Sequence, residues 1–290
     1  MAIMTFDFGG SAVKYGVWAD EKLTNKGKFT TPATWAEMKQ NMVDVVSTVT
    51  DIEGIAISAP GVVNVEKQVI EGISAIPYIH HFNIFSELER LFGLPVTIEN
   101  DANCAGMAEI FFGAAKGHQE VAFVIAGTGI GGAVFHQGKI AKGAHLYGGE
   151  FGLMILDQGK TFSELGTAVQ MAWRYCDRTN VPRGTVEGQE VFERAEAGDT
   201  IAQEEVAKFY DYMAQGLFSI QYALDPEIIV VGGGVSAKAG LFEEINARVA
   251  EMNALRNLKD FVPKIVPCKY LNDANLVGAV ANFEARRNWE

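Results

Sequence analysis

The sequence predicts an α/β protein of two domains. Strand-like and helix-like stretches alternate along its 290 residues, and a strand, glycine turn, strand design occurs twice, at 5–18 and at 124–138. With 48% hydrophobic and 21% charged residues, the chain can also bury a substantial core.

The elements follow in order. "IMTFDFGG" and "KYGVWAD" read as a hairpin around a glycine turn. Residues 34–49 have helical spacing, with Thr34 as cap and Glu37 three residues on. "IEGIAISAPG" is a buried strand ending in a turn, 83–92 repeats the helical pattern, and "PVTIEND" is another strand. Glycine and polar content rises over 113–119, and "EVAFVIAGTGIGGAVF" opens a second α/β unit, so the expected domains are 1–112 and 113–274. A long helix over 200–223 precedes "PEIIVVGGGVS", a strand with a glycine-rich end, and a helix over 275–286 closes the chain.

Composition excludes several classes. A formal net charge of −12 leaves no basic stripe to track phosphates, so nucleic acid is not an expected partner. There is no 18-residue apolar span and no basic leader before an apolar core, which predicts a cytoplasmic protein with no membrane association. Cys104, Cys176 and Cys268 are widely spaced, as small buried residues are, and fit neither a disulfide framework nor a CxxC metal site. His80, His81, His118, His136 and His145 show no metal-ligand spacing with acids.

Glycines at a hairpin turn let backbone N–H groups approach an anion, and two such turns can grip one polyphosphate; two tight turns without a ligand are the alternative. Neither stretch matches the Walker pattern or a dinucleotide unit. The third cluster, "IIVVGGGVS", favours a ligand, because its glycines let a flat base or ribose lie against the backbone. A nucleotide there gives "ENDANCAG", residues 99–106, a reading. Phosphoryl transfer needs a carboxylate to receive the acceptor's proton, and Asp101 just past a strand end is the candidate. Asn100 can donate and accept at once, which suits a sugar hydroxyl, and Glu99 is structural or solvated. The alternative is an Asx cap on a helix over 102–112; capping and catalysis are not exclusive.

The segments "DFGGSAVKYGV", "SAPGVV", "ENDANCAGMAE", "AGTGIGGAVFHQGKI", "GGEFG" and "VVGGGVS" resemble, in order and spacing, the ROK family of bacterial sugar kinases and repressors. The resemblance implies a two-domain actin-like (ribonuclease-H-like) fold with a central cleft, the C-terminal helix 275–290 completing the first domain. It implies ATP and Mg²⁺ as co-substrates and phosphorylation of a hexose, usually at its 6-hydroxyl. Asp101 looks like the family's catalytic base and Asn100 like a sugar ligand. Asp7, Gly9 and Gly10 resemble the first phosphate loop, with Asp7 near the magnesium. Gly127, Thr128, Gly129 and Gly131 resemble the second loop, and Gly233 and Gly234 the adenosine-side turn. Glu150 in "GGEFG" is similar to a glutamate that binds a sugar hydroxyl, and Glu164 in "TFSELGTA" to a second one.

Departures matter as much. Many relatives carry "GEIGH" and then a CxCGxxGC cluster that holds a structural zinc; here Leu153 stands at the histidine position and no cysteine lies between Cys104 and Cys176, so no zinc is expected by that route. An apolar Leu153 favours a different epimer, a substituted sugar or a glycoside. "AIPYIHHFN" also lacks the asparagine and tryptophan that relatives often place beside the sugar. The expected function is an ATP-dependent hexose kinase, with glucose first and fructose, N-acetylmannosamine and β-glucosides behind it. The alternative is a sugar-sensing regulatory protein on the same scaffold, against which the repressors' N-terminal helix-turn-helix domain discriminates, since this chain enters its first phosphate loop by Asp7. Family members are commonly dimers, which implies a homodimer.

Overall fold

The computed structural model describes residues 2–258 and 261–287. Two compact units emerge: Met1–Gly113 with Gly143–Tyr147 and Asn272–Glu290, and Ala114–Lys142 with Gly148–Leu271. This partition differs at its edges from the expected 1–112 plus 275–290 against 113–274. The first unit also takes 143–147 and 272–274, and there Lys14 and Lys26 bond to the Asn272 carbonyl and the Asp273 carboxylate. Residues 288–290 of the expected terminal helix lie outside the described residues.

The first unit begins with β1 (Ala2–Phe8), β2 (Ala12–Ala19) and β3 (Lys22–Thr30), followed by α1 (Trp35–Val46) and β4 (Ile52–Ala59). The short hairpin β5 (Val62–Asn64) and β6 (Val69–Glu71), α2 (Ile84–Phe92), β7 (Val96–Asn100) and α3 (Asp101–Phe111) complete its first stretch. Its sheet runs β3-β2-β1-β4-β7, with β1 antiparallel to β2 and parallel to β4, and β4 parallel to β7. Strand β1 is central and buried from Ile3 to Phe8, apolar but for Thr5 and Asp7. The Thr34–Glu37 capping box opens α1, and the Asn83 side chain accepts from the Ser86 N–H to open α2.

In the second unit come β8 (Val121–Ala126), β9 (Ile130–His136), β10 (Lys139–Ile140), β11 (Ile155–Asp157) and β12 (Lys160–Thr161). Then follow α4 (Phe162–Leu165), α5 (Ala168–Thr179), α6 (Gly188–Glu196), α7 (Thr200–Leu224), β13 (Ile228–Gly232), α8 (Leu241–Leu255) and β14 (Ile265–Pro267). Its sheet runs β10-β9-β8-β13-β14, again an antiparallel hairpin continued by two parallel strands. The repeated strand, turn, strand design of the sequence is therefore a repeated sheet. Helix α7 fills the core with Phe209, Met213 and Leu217, which join Phe162 in one cluster. The buried Glu205 is met by Arg174, Arg178 and Lys208. Burial alone would raise its carboxyl, and the hydrogen bonds from these three cations together hold it below the ordinary range.

The last helix, α9 (Ala274–Arg287), belongs to the first unit and packs on α3, β4 and β1. Small residues make the approach to α3 close: a Cβ at Gly278 would stand 1.6 Å from the carbonyl oxygen of Cys104. Thr5 on β1 donates its hydroxyl to the Leu276 carbonyl at 3.0 Å, so a buried polar side chain ties the helix to the sheet. No helix among the described residues is long and apolar enough to cross a membrane.

Gly278→Ala must separate the two helices. The expected result is a loss of about 3 kcal/mol or more, read from a urea unfolding midpoint, against about 1 kcal/mol or less for Ala→Gly at an exposed helix position.

Candidate functional site

The "ENDA" stretch is where β7 ends and α3 begins. Asn100 is the N-cap, its Oδ1 accepting from the N–H groups of Ala102 (3.0 Å) and Asn103 (3.2 Å). Its Nδ2 donates to the Gly61 carbonyl at 3.0 Å, and the Asn100 side chain is also a hydrogen-bond partner of the Asp101 carboxylate. Asp101 is the first residue of α3, with Oδ1 accepting from the Ala102 N–H at 2.8 Å. Burial pushes its carboxyl above the ordinary aspartate range, the Ala102 N–H works the other way, and the neighbouring Asp7 charge adds to the rise. The cap reading and the candidate base are thus different residues, Asn100 and Asp101.

Glu99 is structural, with 1% of its surface exposed. Its Oε1 accepts from the Asn100 N–H (2.8 Å) and from Asn103 Nδ2 (3.0 Å), and Arg286 of α9 lies 3.7 Å from Oε2. Asp7, at the end of β1, is equally constrained. Its Oδ1 accepts from the Ser58 hydroxyl at 2.9 Å and from Asn275 Nδ2 at 3.0 Å. Gly9 and Gly10 form the turn after β1, where the Gly9 N–H closes on the Ala12 carbonyl at 3.2 Å and Thr31 Oγ1 donates to the Gly9 carbonyl at 2.5 Å. Asp7, Gly9, Gly10, Asn100 and Asp101 therefore lie together in the first unit.

The other candidates lie in the second unit. Gly127, Thr128 and Gly129 form the β8–β9 turn, with Gly127 N–H bonded to the Gly129 carbonyl at 2.9 Å, and Gly131 sits within β9 opposite Ile125. Ser163 of α4 clamps this hairpin by accepting from the Ile130 N–H at 2.8 Å. Gly233, at φ 95°, turns so tightly against β8 that a Cβ would stand 2.0 Å from the Ala126 carbonyl. Only glycine fits there.

Gly127, Thr128 and Gly234 line a cavity of about 720 Å³ together with Ala126, Val235 and a wall from α6 that includes Gln189 and Phe192. The α6 wall was not legible in the sequence, where no motif marks it. Lys238 lies 4.7 Å over the Phe192 ring and 3.0 Å from Glu196, at the same wall. The cavity is of the size that nucleotides occupy.

Glu150 is exposed and precedes a helical turn over Phe151–Leu153 whose Phe151 is anchored in the core. Leu153, at 67%, and Ile155, at 63%, present exposed apolar side chains on the same segment. Glu164 closes a capping box on α4: its Oε2 accepts from both the N–H and the hydroxyl of Thr161, each at 2.8 Å.

For magnesium the donor chemistry fits. Asp7 offers a hard carboxylate oxygen, while among the described residues no group of three or more His, Cys, Asp or Glu could hold a metal ion. A cation that binds one carboxylate and takes its other ligands from phosphates and water suits that arrangement.

Residues 3–286 match the ROK family. The chain is 34% identical to a β-glucoside kinase from Klebsiella pneumoniae, over 98% of this chain and 96% of that one. It is 32% identical to a β-glucoside kinase from Listeria monocytogenes, over 99% of each. A ROK family protein from Streptococcus pneumoniae, solved in complex with sucrose, superposes over the whole of both chains with a TM-score of 0.92 and 33% identity. The chain belongs to the ROK family, and its two units are those of the actin-like, ribonuclease-H-like fold.

Proposed function

We propose that this protein is a sugar kinase that transfers the γ-phosphoryl group of ATP to the 6-hydroxyl of a β-glucoside. The observation that carries the chemistry is Asp101: a half-buried carboxylate at a helix N-terminus, beside a second, immobilised carboxylate. The acceptor class is supported by the relatives. The chain matches β-glucoside kinases over nearly its full length at about one-third identity. The Streptococcus pneumoniae relative was solved with sucrose, itself a disaccharide. The exposed Leu153, where a histidine stands in many of the family, offers an apolar surface suited to a substituent on the sugar.

In the reaction the acceptor hydroxyl is held by Asp101 and Asn100, with Glu150 taking a further hydroxyl of the sugar. As the new P–O bond forms, Asp101 receives the hydroxyl proton, a transfer that comes late because the transition state is loose. The base of the nucleotide lies in the cavity between the Gly127 turn, the Gly234 turn and α6. Asp7 would hold Mg²⁺ together with the phosphates, and the cation would supply neutralisation of phosphate charge. Catalysis is mostly positioning, so the residues' geometry matters more than their covalent reactivity.

Asp101→Asn is expected to lower kcat about 10²- to 10⁴-fold in an ADP-release assay on β-glucosides, with nucleotide affinity by calorimetry unchanged. Wild-type turnover in this variant, or no turnover of any sugar by the native protein, overturns the reading.

The raised pKa of Asp101 has two further consequences. The base must be ionised, so kcat/KM rises with pH through a value above that of an ordinary aspartate. Because folding disfavours its ionised form, Asp101 costs stability at neutral pH. Asp101→Asn should therefore melt higher than wild type at pH 7, and the difference should vanish below the pKa of an unfolded aspartate, where both states hold the proton.

Leu153→His is expected to reduce the kcat/KM preference for a β-glucoside over glucose by about tenfold, the scale of losing a few apolar contacts. An unchanged ratio assigns the glycoside preference elsewhere.

A further inference from the structure

Lys14 stands across the β1–β2 ladder from the acidic end of β1. It is the register partner of Asp7 across the β1–β2 ladder, so the two side chains leave the same face of the sheet. Its Nζ lies 4.0 Å from Asp7 Oδ2, beyond hydrogen-bond range, and 3.4 Å from the Asn272 carbonyl. The Lys14 side chain is 46% exposed, while that of Asp7 is 8% exposed.

This is not the geometry of a counter-ion serving Asp7. Ser58 and Asn275 satisfy Oδ1 at 2.9 and 3.0 Å, and an exposed, long lysine pair contributes little to stability. The ammonium has three donors, and one long bond to a carbonyl leaves it able to meet another acceptor. That acceptor should be anionic. Phosphoryl transfer next to Asp7 and Asp101 brings a strongly negative group up to two carboxylates, and the developing charge needs fixed positive partners in place beforehand. The carbonyl of Asn272 aims the lysine, and the ladder fixes where it starts.

Resting on the kinase reading, we propose that Lys14 is a catalytic residue whose ammonium donates to a non-bridging oxygen of the transferring phosphoryl group. The bond between the γ-phosphorus and the β–γ bridging oxygen breaks, with its electron pair leaving on ADP. The sugar oxygen forms the new bond to phosphorus, and its proton passes to Asp101. Lys14 forms no covalent bond and keeps its proton throughout.

The test compares the full-length wild type with Lys14→Met and Lys14→Arg. Calorimetry with Mg-ADP and with Mg-AMPPNP reads the γ-phosphoryl contact, ADP release on β-glucosides reads turnover, and a thermal melt checks folding. For Lys14→Met the expectation is a kcat loss of about 100-fold, AMPPNP binding weakened by about tenfold, ADP binding and melting temperature unchanged, and partial recovery in Lys14→Arg. Equal weakening of ADP and AMPPNP, no weakening of either, or kcat within about threefold of wild type overturns the proposal. If the wild type phosphorylates no sugar, the kinase reading fails and the catalytic role with it. A selective loss of AMPPNP binding in Lys14→Met would then mark a γ-phosphoryl sensor.

Discussion

The contact between Gly278 of α9 and the Cys104 carbonyl of α3 sets the rest of the first unit. Helix α3 carries Asp101 at its start, and α9 reaches the site from both of its ends. Near its beginning Asn275 holds Asp7, a residue 268 positions earlier in the chain. Near its end Arg286 stands beside Glu99, whose carboxylate holds the backbone of Asn100. Two helices that approach to backbone distance have little freedom to slide. The acids of the site are thereby placed by a contact that contains no acid, and they are assembled only when the end of the chain docks.

Within that frame Asp101 is held between opposing influences. The helix N-terminus and the Ala102 N–H favour its charge, whereas burial and Asp7 oppose it. The opposition wins, which on the proposed kinase reading suits a group that accepts a proton and holds it briefly. The same surroundings affect Cys104, whose thiol is pushed well up by burial, with the charges of Glu99, Asp7 and Asp101 adding to the effect. It is an inert filler beside the site rather than a nucleophile. A region this rich in negative charge lowers the stability of the fold, and its persistence is what a functional site looks like when local rules are violated together.

Much of this was legible in the sequence because it rests on local chemistry. The Thr34–Glu37 box, the Asn83 cap and the glycine turns at 9–10 and 127–129 need only near neighbours, and each stands where the pattern placed it. The doubled sheet was visible as a doubled hairpin. What was not legible depends on long-range packing. The resemblance marked Glu164 only as a sugar ligand, and its capping bonds to Thr161 three residues earlier were not read. That S/T-x-x-E signal was present in the sequence. The α6 wall of the cavity, by contrast, becomes a wall only through the packing of α6 against α5 and α7, which no spacing encodes.

The two sheets share strand order but not chemistry, and the difference divides the work. In the first, the strand before the glycine turn ends in Asp7, faced across the ladder by Lys14. In the second, the corresponding position is Ile125, faced by Gly131. One copy of the hairpin offers charge at its turn, and the other offers bare backbone and an apolar wall. A triphosphate nucleotide needs both: its base and ribose are recognised by shape and backbone, its transferred group by fixed charges. The duplicated scaffold supplies two turns at one place in the sheet, closed differently: the Gly9 N–H bonds to the Ala12 carbonyl, the Gly127 N–H to the Gly129 carbonyl. On the proposed kinase reading, having Asp7 and Lys14 at one turn against Ile125 and Gly131 at the other is what separates phosphoryl transfer from nucleotide recognition.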